Sequence, residues 1–164
     1  MTQSVTVPVR KSVTVPTSRA RAFEIFTKEF DSWWYPGHHI AAEPYESVTI
    51  EPRVGGRWFE RDANGNECDW GRVLVWDPPA RVVLAWQLTS EFKYDPNFET
   101  PVEIRFTAVD ANTTRVELEH RLDAYGDDAE AMGQGLGGEG GWSLLLRRYE
   151  EFATGKPELS ELPG

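Results

Sequence analysis

Apolar and polar residues alternate along two neighbouring runs in the middle of the chain, 68–76 and 82–88. The apolar positions that repeat with a period of two are Trp70, Leu74 and Trp76 in the first run and Val82, Leu84 and Trp86 in the second. This period directs side chains to one face of a β-strand. We therefore expect the tryptophans of both runs to line one interior.

Strand-like runs separated by turn residues also occur at 9–15 and throughout 47–121. They predict strands at 9–15, 47–51, 57–62, 68–76, 81–89, 101–109 and 114–121. The breaks between them carry turn signals such as Gly55-Gly56, Asn64-Gly65 and Asp77-Pro78-Pro79. Because short connections join antiparallel neighbours, the pattern favours an antiparallel meander.

Helical spacing appears on both sides of the middle strands. Thr17 or Ser18 can cap a helix from about 18 to 30. A second, strongly amphipathic helix is predicted to end near Gly155, and its apolar residues are Trp142, Leu145, Leu146, Tyr149 and Phe152. The glycine-rich run 133–141 before it is predicted to be a mobile loop or a broken helical turn, and the tail 156–164 is predicted to fray.

The composition indicates one domain over residues 1–164, with its core at about 9–155. Hydrophobic residues make up 40% of the chain and aromatic residues 12%, which is enough for one substantial core. A net charge of −10 repels a phosphate backbone, so nucleic acid is not expected as a partner. No apolar stretch is long enough for a signal sequence or a membrane span, so we expect a cytoplasmic protein without membrane insertion.

Residues that could hold a metal or a cofactor are few. The single cysteine, Cys68, excludes an intrachain disulfide, and one cysteine with three scattered histidines is a poor set of zinc ligands. His38 and His39 lack acidic or cysteine neighbours at productive spacing, so we assign them to the surface or to a gate. The run 133–141 matches the glycine spacing of a dinucleotide fingerprint, but no βαβ unit surrounds it. We therefore predict no cofactor, no metal and no catalytic residue.

Three polar residues are predicted to share the interior with the tryptophans: Glu60, Arg72 and His120. Charged groups are costly there unless paired or hydrated, so they are either anchors for a ligand or a structural ion pair with His120 hydrogen-bonded in the core. Whether Glu60 shares a face with Trp70 depends on the turn at Asn64-Gly65. A two-residue turn would place residues 60 and 70 on opposite faces, whereas a three-residue loop with a glycine bulge would place them together. We favour the bulged form.

Three segments, in this order, resemble a known group of domains: VGGRWFERDANGNECDWGRVLVWDPPARVVLAWQL, TTRVELEHRLD and GGWSLLLRRYEEF. Over roughly 9–155 the chain is similar to the helix-grip domains related to START and Bet v 1, the SRPBCC superfamily. The subgroup it most resembles is the C-terminal domain of the activator of Hsp90 ATPase. Glu60 departs from that pattern, in which an aromatic or aliphatic residue is usual, and it makes the expected cavity more polar.

The predicted elements form an α+β layout, which the resemblance identifies as a helix-grip fold. It implies a curved antiparallel sheet of six to seven strands wrapped around the long C-terminal helix, with one or two short helices after the first strand. It also implies a cavity between that helix and the sheet. The residues we expect at the ligand are Trp33, Trp34, Trp58, Glu60, Trp70, Arg72, Trp86, Phe106, His120, Trp142 and Leu145.

We predict that this cavity binds a small hydrophobic or aromatic molecule, because no nucleophile or phosphate-loop motif indicates catalysis. Two alternatives stay open. One is an enzyme that acts on the same ligand through Glu60, Arg72 or His120. The other is a chaperone-associated, protein-binding adaptor, for which a chaperone contact is implied by resemblance alone. A homodimer is compatible with either reading.

Overall fold

The computed structural model describes residues 7–161, and its main feature is a curved antiparallel sheet of seven strands. The strands are β1 Val9–Val15, β2 Tyr45–Ile50, β3 Arg57–Asp62, β4 Glu67–Asp77, β5 Arg81–Trp86, β6 Thr100–Asp110 and β7 Thr113–His120. Their order across the sheet is β1-β7-β6-β5-β4-β3-β2. Strands β2 to β7 therefore form the predicted meander, and β1 adds to its end by pairing with β7.

Within residues 7–161 the sheet is accompanied by four α-helices: α1 Arg19–Thr27, α2 Phe30–Trp33, α3 Ala129–Leu136 and α4 Trp142–Thr154. The predicted helix 18–30 is thus divided into α1 and the single-turn α2. Ser18 caps α1 by accepting a hydrogen bond from the Arg21 amide at 3.2 Å. Gly155 ends α4 as predicted, since its φ of +87° is a left-handed conformation that glycine adopts without a side-chain clash. No helix within residues 7–161 has the length and apolarity to cross a bilayer.

The concave face of the sheet packs against α4, which confirms the α+β helix-grip architecture. Trp142, Leu145, Leu146 and Tyr149 of α4 are buried, as its amphipathic pattern predicts. The Tyr149 hydroxyl donates to the carbonyl of Ala22 at 2.8 Å and so joins α4 to α1. Core burial and this hydrogen bond therefore hold α4 in place.

The C-terminal part differs from the predicted loop and frayed tail in two places. The first part of the glycine-rich run, 133–136, belongs to α3, because Met132 and Leu136, one helical turn apart, bury a common apolar face, whereas 137–141 form turns. The tail is also held down as far as residue 161. Ser160 donates through its amide and its hydroxyl to the carboxylate of Glu151, at 2.8 and 2.7 Å. Residues 162–164 of the predicted frayed tail lie outside the described residues.

Candidate ligand-binding cavity

A cavity of about 350 Å³ lies between the start of α4, the concave face of the sheet and the segment 37–40. Its volume is within the range of about 300 to 1,000 Å³ that is usual for small-molecule sites. Leu145 of α4 forms part of its floor, and the turn Gly140–Gly141 lies at its edge. The position matches the cavity that the helix-grip resemblance implies.

Four tryptophan rings line the cavity: Trp34, Trp70, Trp86 and Trp142. The centroid of Trp34 lies 5.1 Å from that of Trp70 and 6.3 Å from that of Trp142. Trp86 lies 6.0 Å from Trp142. The rings meet at tilted or edge-to-face angles, which aromatic pairs prefer to a flat sandwich. The cavity consequently presents ring edges and faces with few polar atoms.

The hairpin between β3 and β4 brings Glu60 and Trp70 together. Asp62 pairs with Asn66 around the three-residue loop 63–65, in which Gly65 has a φ of +83°, so the favoured bulged turn is confirmed. The indole N–H of Trp70 donates to Oε1 of Glu60 at 2.8 Å, and the Ile40 amide donates to the same oxygen at 2.6 Å. Glu60 has no exposed surface, and its other oxygen, Oε2, has no partner among the described residues.

Arg72 lies on the opposite face, so its predicted place in the interior was wrong. Trp58 pairs with Gly71, and the next residue of β3, Phe59, pairs with Asp69, which makes Trp70 an extra bulge residue. The bulge shifts the alternation of β4 by one residue. Arg72 instead forms an ion pair with Glu99 at 2.7 Å, with 43% of its side chain exposed. Trp70 and Arg72 are two residues apart in the sequence, but the bulge makes their side chains point to opposite faces of the sheet.

His120 is buried at the end of β7 and is hydrogen-bonded through both ring nitrogens. The Trp142 indole N–H donates to its Nδ1 at 3.1 Å, and its Nε2 lies 2.8 Å from the Thr100 hydroxyl. Because an indole N–H only donates, Nδ1 must accept, and the ring proton is on Nε2. Burial lowers the pKa of His120 to about 3, so the ring is neutral at pH 7.

Three of the predicted aromatic residues form a layer behind the cavity wall. Trp33 donates its indole N–H to the carbonyl of Ile25 at 3.0 Å. Phe106 packs edge-on against Phe23, with the ring centroids 5.1 Å apart. Trp58 stands between the wall residues Trp70 and Trp86, with its centroid 5.7 and 5.8 Å from theirs. These rings support the wall and do not line the cavity.

The mouth of the cavity is formed by residues that the sequence patterns did not assign to the ligand. His38 Nε2 donates to the carbonyl of Gly140 at 2.6 Å and so joins the segment 37–40 to the turn before α4. The carbonyl of His38 in turn accepts from the indole of Trp34 at 2.9 Å. Phe92, exposed and with a φ of +59°, stands at the same mouth. Of these, only the His38-His39 pair beside two tryptophans carried a sequence signal, which we interpreted as a surface or gate role.

Arg148 is a buried cation that supports the site from behind. Its guanidinium donates to the carbonyls of Trp33, Trp34 and Ser160, at 2.8, 3.2 and 2.7 Å. Burial lowers the pKa of Arg148 below its ordinary value. The sequence signal was its position: it stands three residues after Leu145 on the apolar side of α4. Arg148 thereby fixes the end of α2, from which Trp34 reaches the cavity.

The arrangement of the described residues does not suggest a metal centre. Within 7–161, no three side chains of the His, Cys, Asp or Glu types converge as metal ligands would. Burial raises the pKa of the Cys68 thiol, and the nearby carboxylate of Glu60 adds to this effect. A thiol with a raised pKa is a weak nucleophile at pH 7. The site is therefore an aromatic cavity with a buried carboxylate and a neutral histidine behind its wall.

A curved seven-stranded antiparallel sheet around a C-terminal helix, with a cavity between them, defines the helix-grip or SRPBCC class of proteins. The sequence model for the family described as Activator of Hsp90 ATPase homolog 1-like protein matches residues 16–153. The chain belongs to this family. No curated protein matches it.

Solved structures agree with this assignment. The anthrahydroquino-gamma-pyrone synthase Txn09 is 36% identical, with a TM-score of 0.62, over 88% of this chain and 95% of its own. The self-sacrificing resistance protein CalC from Micromonospora echinospora is 28% identical, with a TM-score of 0.64, over 92% of this chain and 98% of its own. The Aha1 dimer from Colwellia psychrerythraea shares the fold, at 16% identity and a TM-score of 0.60, over 93% of this chain and 99% of its own.

Proposed function

We propose that this protein binds a flat, hydrophobic aromatic molecule in the cavity between α4 and the sheet. The observation that carries the proposal is the wall of four tryptophan rings around a volume of about 350 Å³. Aromatic pairs contribute about 0.5 to 1.5 kcal/mol each beyond the burial of apolar area. A fused ring system would meet several such faces at once, whereas a flexible or strongly polar molecule would not.

The name of one similar protein supports a polycyclic ligand. The protein with 36% identity is named as a synthase of an anthrahydroquino-gamma-pyrone. The match covers 88% of this chain and 95% of that protein. We therefore infer a fused aromatic compound with oxygen substituents as the ligand class.

Titration of the intrinsic tryptophan fluorescence with 9,10-anthraquinone tests the proposal. We expect saturable quenching with one molecule bound per chain, because four of the seven tryptophans line the cavity. Leu145→Trp should fill the cavity and weaken binding at least about tenfold, since the larger ring occupies the space of the ligand. Val109→Trp, at an exposed position of β6, is the matched control and should bind like the wild type. Absence of saturable quenching, or equal binding by both variants, would contradict the proposal.

A second candidate function is turnover of the same ligand, which the name of the 36% identical synthase favours. To test for turnover, an added or co-purified aromatic compound is incubated with catalytic amounts of the protein. If the protein is an enzyme, we expect the chromatographic retention and the absorbance spectrum of the compound to change. A general acid or base contributes about 10²- to 10⁴-fold to a rate. Unchanged compound after prolonged incubation, together with saturable binding, would leave binding as the function.

A further inference from the structure

Three polar atoms on the inner face of the sheet are buried without a hydrogen-bond partner among residues 7–161. They are Oε2 of Glu60, Nε1 of Trp58 and Nε1 of Trp86. A buried polar atom left without a partner costs about 1 to 3 kcal/mol, so each such atom calls for a partner from outside the described residues, either water or a ligand. One of the three is an acceptor and two are donors.

Glu60 and Trp58 stand two residues apart on the same face of β3, about 6 to 7 Å along the strand. The ring of Trp58 is 5.7 Å from that of Trp70, whose N–H already binds the other oxygen of Glu60. The free acceptor and the free donor therefore belong to neighbouring side chains. A hydroxyl group both donates and accepts, so it has the chemistry to match one free acceptor and one free donor.

We propose that Glu60 and Trp58 form the binding site for a hydroxyl group of the aromatic ligand, so that the protein selects phenolic or enolic compounds. This inference rests on the proposed function and names the ligand class more narrowly. The hydroxyl donates to Oε2 of Glu60 and accepts from the indole of Trp58. A hydrogen bond to a carboxylate is about twice as strong as one between neutral groups, which makes Glu60 the main source of selectivity.

The segment 37–40 lies between the cavity and this hydroxyl site. Ile40 lines the cavity, and its amide is bound to Glu60, so the same residue covers the carboxylate. The segment belongs to no helix or strand, and on its other side it is joined to the turn before α4 through His38 and Gly140. The proposal therefore requires the segment 37–40 to move aside when the ligand hydroxyl reaches Glu60, which leaves the strand pairs of the sheet in place.

The test compares two probes that differ by one hydroxyl: 9,10-anthraquinone and 2-hydroxyanthraquinone, at pH 6 so that the phenol stays neutral. The 2-position is chosen because its hydroxyl is too far from the quinone oxygens for an internal hydrogen bond. We expect the wild type to bind the hydroxylated probe about tenfold more tightly. Glu60→Gln should reduce this ratio to near one, because its amide nitrogen presents hydrogen atoms where Oε2 had a lone pair. Glu99→Gln, on the outer face, is the control and should keep the wild-type ratio.

Trp58→Phe keeps a ring beside Trp70 but removes the N–H, and we expect it to lower the ratio about threefold. If Glu60→Gln does not fold, Trp58→Phe alone tests the inference. Equal affinity of the wild type for the two probes would overturn the inference, and so would a ratio that neither variant changes, as expected if water satisfies Oε2. If neither probe binds the wild type at all, the proposed function itself fails, and this outcome is distinct from the other two.

Discussion

Trp142, the first residue of α4, donates its indole N–H to Nδ1 of His120, the last residue of β7, over 3.1 Å. The same indole ring forms part of the cavity wall. One side chain therefore joins the terminal helix to the sheet, sets the protonated nitrogen of a buried histidine and contacts the space proposed for the ligand. Removal of the whole Trp142 ring should therefore lower both the stability of the fold and the affinity for the ligand.

Trp142→Phe separates these roles, because phenylalanine keeps a ring at the wall but has no N–H. It leaves Nδ1 of His120 buried without a donor, so we expect the free energy of unfolding to fall by about 1 to 3 kcal/mol. Urea denaturation followed by circular dichroism measures this loss. Trp76→Phe is the control: Trp76 is only partly buried, and its loss should be smaller than about 1 kcal/mol. Equal losses for the two variants would show that the hydrogen bond contributes nothing specific.

The lowered pKa of His120 predicts how stability depends on pH. The folded-state pKa of about 3 lies below the ordinary value of 6.5, so between these pH values the unfolded chain binds a proton that the folded protein does not. The contribution of His120 is complete above pH 6.5 and is lost as the pH falls toward 3. At pH 5 the loss is about 2 kcal/mol. His120→Gln should remove this part of the slope between pH 7 and pH 5, whereas His39→Gln, at an exposed position, should leave it unchanged.

Gly71 is predicted to be intolerant of any side chain. A Cβ atom at this position would lie 1.7 Å from the carbonyl oxygen of Ala85 on the neighbouring strand, and backbone atoms have little room to move. We expect Gly71→Ala to lower the free energy of unfolding by about 3 kcal/mol or more. Gly135→Ala is the contrasting change, since nothing lies within 4 Å of its added methyl and alanine favours helix. Thermal unfolding should show a clear loss for the first variant and none for the second.

Arg148 and Arg147 are adjacent in α4 and test whether the buried cation supports the site. Arg148→Gln removes most of the hydrogen bonds to Trp33, Trp34 and Ser160, so we expect a loss of about 2 kcal/mol or more. Arg147 is exposed, and Arg147→Gln should change stability by less than about 0.5 kcal/mol. Hydrogen exchange should also be faster around Ser160 in the first variant alone. Unchanged exchange there would mean that Arg148 does not hold the tail.

Local patterns accounted for most of the architecture. The strands, the meander and the apolar face of α4 follow from side-chain periods of two and about 3.6 residues, which are properties of single segments. The loop at Asn64-Gly65 was also predictable, because glycine alone adopts its left-handed conformation at little cost. The helix α3 was missed because its glycines suggested a loop, while the burial that stabilises it comes from the rest of the fold.

The candidate site was likewise predictable from the sequence only in part. From the sequence alone it was determined that tryptophans line an interior and that Glu60 and His120 share it, since both depend on alternation and on one turn. Only the tertiary structure decided that Arg72 faces outward, because a bulge at Trp70 shifts the alternation and no local signal marks it. It also decided which tryptophans reach the cavity and which support them. Which tryptophans line the cavity depends on how α2, α4 and the sheet pack against one another. These elements are far apart in the sequence, so a local pattern of residues does not predict their packing.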